Sequence, residues 1–251
     1  MSIYSEIKEN IKKIEKGKII DINNFFNDKL SKKTVLKSFE RLVKLGKIRR
    51  AERGVYYIPK ESIFGELPLS KNELLKKYLY EGEDTVIGYL SGNNLFNKYG
   101  LTTQIANEIE ITTNKRKNQK KYENFTIKFN YNKAPINQEN IKYLEILDIL
   151  KNIKCILDSD IEESYKIIQK TFLKFSNIEL NKLINLANKY YPVRVIALLG
   201  SMLENKRDLD LSELKKKINK NTTFNIGLNL PNSKEWRIRW IYTKIYQILK
   251  I

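Results

Sequence analysis

Apolar residues recur with a helical period at both ends of this chain and with a strand period in between. Ile3, Ile7, Ile11 and Ile14 share one helical face, and Gly17 closes that helix. Ile19 and Ile20 make a short apolar touch, and Phe25 and Phe26 predict a second short helix around Asn23 to Asn27. Ser31 is a suitable N-cap and Gly46 a suitable stop for a helix over roughly 32–45. In that helix Val35, Leu36, Phe39, Leu42 and Val43 fall on one face. Lys33, Lys37, Arg41 and Lys44 lie within about 80° of one another on the opposite face. Residues 47–59 read as strand, tight turn at Gly54 and strand, ended by Pro59. Helix, short helix, basic amphipathic helix and hairpin within 60 residues describe a winged helix-turn-helix.

Residues 60–70, with Gly65 and Pro68 and no clear period, read as a hinge. Beyond them Leu74, Leu75 and Tyr78 predict a helix, and Thr85 to Gly100 a strand, a turn and a short helix. Alternation predicts strands at Glu108–Thr112 and Phe125–Phe129. The polar loop between them, Asn114 to Lys121, carries five cations and no acid. It reads as a solvated hairpin tip, with a second DNA contact as the alternative. From Asn137 onward the period is helical, in stripes such as Ile161, Tyr165, Ile168, Phe172 and Phe175. The expected class is α+β. A winged helix would occupy residues 1–62 and a second domain 70–251, mixed strand and helix over 70–133 and mainly helical over 134–251. The polar start, with Glu6 and Glu9, reads as no signal peptide, and no apolar run reaches 18 residues. A cytoplasmic protein without a membrane partner is expected.

Composition narrows the chemistry. The 251 residues contain no histidine, which removes imidazole acid–base catalysis, histidine triads and imidazole-ligated zinc. One cysteine, Cys155, excludes an internal disulfide and a cysteine-cluster metal site. The net charge of +18 points to a polyanionic partner, and residues 29–53 hold ten cations against Glu40 and Glu52. The run begins at Lys29; within it Lys32, Lys44, Lys47 and the wing residues Arg49, Arg50 and Arg53 are placed as phosphate contacts, and Lys33 is a further DNA-binding candidate. Thr34, Lys37, Ser38 and Arg41, toward the front and middle of the helix, are the candidates for base edges.

Two sequence features suggest catalysis and fail on spacing. Gly88 and Gly92 lack the Gly-Lys-Ser/Thr of a phosphate loop. Leu198-Leu199-Gly200-Ser201 with Asp208 and Asp210 has the look of a magnesium-dependent nucleotidyltransferase, but only six residues separate Ser201 from Asp208. The expectation is a non-enzymatic protein without metal or cofactor, with Asp208, Asp210 or Ser212 capping a helix.

The stretch Phe39-Glu40-Arg41-Leu42-Val43-Lys44-Leu45-Gly46-Lys47-Ile48-Arg49-Arg50, followed by Arg53 to Pro59, resembles the N-terminal winged helix of AbiEi-type antitoxins. Gly88 to Leu95 and Tyr99-Gly100-Leu101-Thr102-Thr103-Gln104-Ile105 resemble that family's middle segment, with Ile105-Ala106 replacing its usual Val-Pro. The resemblance covers roughly residues 1–113. It implies the antitoxin of a type IV toxin–antitoxin module that represses its own operon by binding inverted repeats. The partners would be that operator DNA, bound by two copies, and a nucleotidyltransferase-like toxin, with or without a stable complex. Thr102, Thr103 and Gln104 are the candidate antitoxin surface. The alternatives are a stand-alone winged-helix regulator and a magnesium-dependent nucleotidyltransferase using Asp208 and Asp210.

Overall fold

The computed structural model describes residues 2–26, 31–82, 84–105, 108–122, 125–206 and 208–239. Two compact units divide the chain, Met1–Tyr80 and Glu81–Ile251, and the class is α+β. Asn27, Lys29 and Ala106, used in the sequence reading, lie outside the described residues.

The first unit runs α1 (Ile3–Lys12), β1 (Ile19–Asp21), a single 3-10 turn (Ile22–Phe25), α2 (Lys32–Lys44), β2 (Arg49–Glu52) and β3 (Val55–Tyr57). The strands form an antiparallel sheet in the order β1-β3-β2, which is the winged helix-turn-helix arrangement. The predicted second helix is shorter than its pattern suggested, one turn capped by the Asp21 side chain. Helix α2 begins and ends where its sequence signals lie. The Ser31 hydroxyl accepts from the Thr34 amide at 3.2 Å. At the other end Gly46 takes φ +68, Lys47 N–H donates to Leu42 and Gly46 N–H to Val43, a Schellman stop. The wing turn is Arg53-Gly54, with Gly54 at φ +80.

The expected hinge is instead a hairpin, β4 (Lys60–Ser62) with β5 (Gly65–Leu67), and the next helix, α3 (Lys71–Leu79), belongs to the first unit. Leu74, Leu75 and Tyr78 of α3 are buried, and Glu52 accepts from Lys77 at 2.7 Å and from the Tyr78 hydroxyl at 3.0 Å. The boundary therefore falls after Tyr80 and not between 62 and 70. A hairpin built of glycine, proline and polar residues has the composition of a linker, so only its ladder distinguishes it.

Two short strands, β6 (Tyr80–Glu81) and β7 (Thr85–Val86), stand at the boundary. The second unit continues with β8 (Gly88–Ser91), α4 (Asn93–Lys98), β9 (Glu108–Thr113), β10 (Lys120–Lys121) and β11 (Thr126–Tyr131). These strands make a sheet in the order β10-β11-β9-β8, in which β9 and β11 run parallel with Ile109 opposite Ile127. The loop at 114–121 is therefore no hairpin tip between them. It crosses over, and its last two residues pair antiparallel with β11 as the sheet edge. Alternation fixes which residues share a face but not the direction of the neighbouring strand, so the pattern fits either topology.

The helical part comprises α5 (Ile141–Asn152), α6 (Ile161–Thr171), α7 (Asn177–Tyr190), α8 (Val193–Leu203) and α9 (Ser212–Lys217), followed by β12 (Phe224–Asn225) and β13 (Ile238–Arg239). The predicted stripes lie in its core, with Ile168, Leu183 and Leu199 fully buried. Within that core Asp148 accepts from the Tyr89 hydroxyl at 2.6 Å and the Tyr191 hydroxyl at 2.9 Å. Burial pushes the Asp148 carboxyl above its ordinary range, and the two tyrosine hydroxyls oppose that shift. The tyrosine hydroxyls are themselves driven up by burial and by the Asp148 charge.

Two outcomes follow from this packing. A Cβ on Gly200 would stand 1.9 Å from the ring of the fully buried Trp236. Gly200→Ala should therefore destabilise the second unit by about 1–3 kcal/mol, the range for overpacking. The readout is the urea midpoint by tryptophan fluorescence, since both tryptophans, Trp236 and Trp240, belong to this unit. Asp148 sets the second outcome. A raised folded value contributes stability that is present in acid, below the unfolded value, and is lost as pH rises through the folded value. The stability difference between Asp148→Asn and the parent should therefore move in favour of the variant from pH 4 to pH 8. A difference independent of pH would show that the carboxylate is not strained by burial.

Candidate nucleic-acid interface

The geometry of this surface is set by how α2 is rotated. Its buried residues are Val35, Ser38, Phe39 and Leu42. Phe39 is the wedge, fully buried with its ring 5.1 Å from Phe25, edge-on, and 4.8 Å from Tyr56. With Val35 at 0°, the buried set spans about −60° at Ser38 to about +40° at Phe39. The solvent face is then centred on Lys33, Lys37 and Lys44, all exposed and without an ion pair among the described residues.

Two predicted roles are corrected by this rotation. Ser38, expected to face the bases, is 5% exposed, and its hydroxyl donates to the Thr34 carbonyl at 3.0 Å. A small hydroxyl can sit at the margin of a core because the helix itself supplies its acceptor. Leu36, expected in the core, is 44% exposed beside the lysine face. It is a residue the sequence reading missed, and an apolar side chain there suits a thymine methyl.

The other members fall into three groups. Thr34 is half-buried and its hydroxyl is 2.8 Å from that of Ser31, so it serves the helix cap. Lys32 and Arg41 are exposed but supported, Lys32 over the Phe26 ring at 5.8 Å and Arg41 over the Tyr4 ring at 4.4 Å. An arginine stacked on one face keeps its in-plane donors for a ligand. Lys47, Arg50 and Arg53 are exposed, with Arg53 at the wing tip. Arg49 departs from expectation. It sits at the base of β2, away from the turn, paired with Glu66 of β5 at 2.7 Å. The wing's own acid, Glu52, is drawn back by Lys77 and Tyr78 and leaves the tip cationic.

Neither other candidate forms a surface of the kind expected. The Thr102 hydroxyl is buried, donating to the Leu157 carbonyl at 3.0 Å and accepting from the Gln104 amide at 3.2 Å. Gln104 also donates to Asp158, and its carbonyl accepts from Asn97 at 2.8 Å. The segment is a tie between two loops of the second unit, and only Thr103 of the three points to solvent. Gly200 and Ser201 lie inside buried α8 and not in a strand-to-turn grip; the Ser201 hydroxyl donates to Leu198 at 2.8 Å. Asp210 accepts from the Ser212 amide at 2.9 Å in a turn just ahead of α9, whose N-cap position is Leu211 without a side-chain cap, so none of the three expected residues is the cap itself. A polar cleft of about 290 Å³ in the second unit is lined in part by Glu110, Asn130 and Asp148. Its groups are bonded to one another, Asn130 donating to Glu110 at 2.8 Å. No group of three metal-ligating side chains exists among the described residues.

The arrangement in the first unit is a helix whose lysine face makes no ion pair among the described residues, beside a cationic wing tip, the parts needed to place a helix against a polyanion groove. A family model covers residues 6–202 of the chain, from α1 through all but the last residue of α8. The chain belongs to the DUF6088 family. That family is described as one of unknown function, and it takes in both units. No curated protein matches the chain. No helix among the described residues is long and apolar enough to cross a membrane.

The rotation of α2 has a direct stability test. Phe39→Ala should cost the first unit about 3–5 kcal/mol, as for other buried phenylalanines. Leu36→Ala should stay within about 0.5 kcal/mol of the parent, as an exposed position does. The measurement is chemical denaturation followed by far-UV circular dichroism. A loss of several kcal/mol at Leu36 would restore the orientation read from the hydrophobic pattern.

Proposed function

We propose that the chain is a winged-helix DNA-binding protein that represses its own operon and serves as the antitoxin of a type IV module. The observation that carries the reading is the lysine face of α2, with Lys33, Lys37 and Lys44 exposed and in no ion pair among the described residues and the wing's acid held away from Arg53. Each such cation placed on a phosphate releases a counterion, which makes binding favourable and salt-dependent. Lys37, Leu36 and the in-plane donors of Arg41 would read base edges, while Lys33, Lys44, Lys47, Arg50 and Arg53 would hold the backbone. Inverted repeats require two copies on DNA, one per half-site. The antitoxin part rests on the resemblance of residues 39–59 and 88–105 to AbiEi-type proteins; its partner would be a nucleotidyltransferase-like toxin in the cytoplasm. Repression and antitoxicity both need only binding, without metal, cofactor or catalysis.

Two measurements test it. The first is fluorescence anisotropy of the full chain on its own upstream duplex and on a scrambled duplex across a salt series. Preference for the upstream sequence is expected, together with a log–log salt slope that becomes shallower by about 2.7 in Lys33→Ala/Lys37→Ala/Lys44→Ala, at about 0.9 per phosphate contact. Ser38→Ala should leave affinity unchanged. Equal weak binding to both duplexes would overturn the operator reading. The second measurement is growth on co-expression with the adjacent reading frame. Rescue from a toxic nucleotidyltransferase-like neighbour supports the antitoxin role, and the lack of such a neighbour leaves a stand-alone regulator.

A further inference from the structure

The two units carry equal charge but both concentrate it. Residues 1–80 hold 19 cations and 10 acids, and residues 81–251 hold 28 and 19, so each unit is +9. In the second unit the segment 114–133 alone has seven cations against Glu123, leaving only +3 for the rest of that unit.

That segment is not a loose tip. Asn114 donates to the Asn132 carbonyl at 2.7 Å and to the Ala134 carbonyl at 2.6 Å, and its side-chain oxygen accepts from the Ile136 amide at 3.2 Å. The Thr113 hydroxyl donates to the Lys115 carbonyl at 2.7 Å. Arg116 lies over the Tyr131 ring at 4.8 Å and Lys117 over the Phe129 ring at 5.7 Å. The crossover is thereby laid across the aromatic side of β11, and the edge strand β10 adds Lys120 and Lys121. Lys115, Arg116 and Lys121 are exposed and meet no carboxylate among the described residues.

We propose that this crossover is a second nucleic-acid contact, gripping the backbone of a single strand. Three properties point to that ligand. The exposed cations Lys115, Arg116 and Lys121, which meet no carboxylate among the described residues, match a phosphate chain. A guanidinium stacked on Tyr131 offers its outer face to an unpaired base. Among the described residues the crossover forms no helix to enter a duplex groove, and β10 pairs with β11 over two residues only. A membrane surface is a poorer match, because residues 114–121 have no apolar side chain to insert. The contact stands independently of the operator reading, which rests on α2.

The test uses the full chain carrying Lys33→Ala/Lys37→Ala/Lys44→Ala/Arg41→Ala, so that the outer face of α2 does not contribute. Anisotropy is measured with a 20-nucleotide single strand, the matching duplex, and vesicles with and without phosphatidylserine. Adding Lys115→Gln/Arg116→Gln/Lys121→Gln should weaken single-strand binding at least tenfold and flatten its salt slope by about 2, at about 0.7 per contact. Lys115→Gln/Lys121→Gln, which keeps the Arg116 stack, should lose about two-thirds of that slope and melt with the parent. Unchanged single-strand affinity in both variants would overturn the proposal. So would tighter binding to the duplex, or a loss confined to the anionic vesicles. Failure of α2 to bind its operator would show in the parent with duplex and leave this outcome intact.

Discussion

Phe39 is the contact on which the first unit depends. Wedged between Phe25 and Tyr56, it fixes how α2 is turned about its own axis. That rotation buries Ser38, exposes Leu36 and centres the outer face on three lysines. The same packing carries through the Schellman stop at Gly46, which brings the fully buried Ile48 into the core and starts β2 in register with β3. Glu40 is exposed about 30° from the centre of that face, and no ion pair joins it to the lysines among the described residues. The interface is therefore a consequence of an aromatic contact on the opposite side of the helix.

Much of this was legible from residue spacing, and the misses have definite causes. Caps and stops are local chemistry, so Ser31, Gly46 and Gly54 marked the ends of α2 and the wing turn. The exposed lysines of α2 follow from the same period. Leu36 and Ser38 were misread because both lie at the margin of the apolar arc, where rotation by about half a residue decides burial. A hydrophobicity count favours leucine, whereas the structure buries the small side chain whose hydroxyl bonds to its own helix. The direction of β9 relative to β11 was hidden because alternation is the same for parallel and antiparallel neighbours. The pairing of Arg49 with Glu66 spans a hairpin that reads as linker, and Thr102 is buried by a carbonyl 55 residues away. Contacts of that range leave no local signal.

Charge offers an internal comparison that composition alone cannot. A lysine-rich chain would show a net positive surface everywhere if codon bias were the whole cause. In the helical part of the second unit lysines are met by carboxylates, as Lys142 by Glu179, Lys182 by Glu139, and Lys215 by Glu204 and Glu235. On α2 and along the crossover, Lys33, Lys37, Lys44, Lys115 and Lys121 meet none among the described residues. Clustering like charges works against the compact state through self-repulsion. Two of the acids near it are turned elsewhere, Glu52 toward α3 and Glu66 toward Arg49. Arg41 and Arg116 are each braced on a tyrosine ring, at 4.4 and 4.8 Å, which restricts the long side chain before any ligand arrives. Less ordering then remains for the moment of binding. Grouped cations without a carboxylate partner among the described residues, set beside arginines braced on rings, are what supports the polyanion partner proposed above.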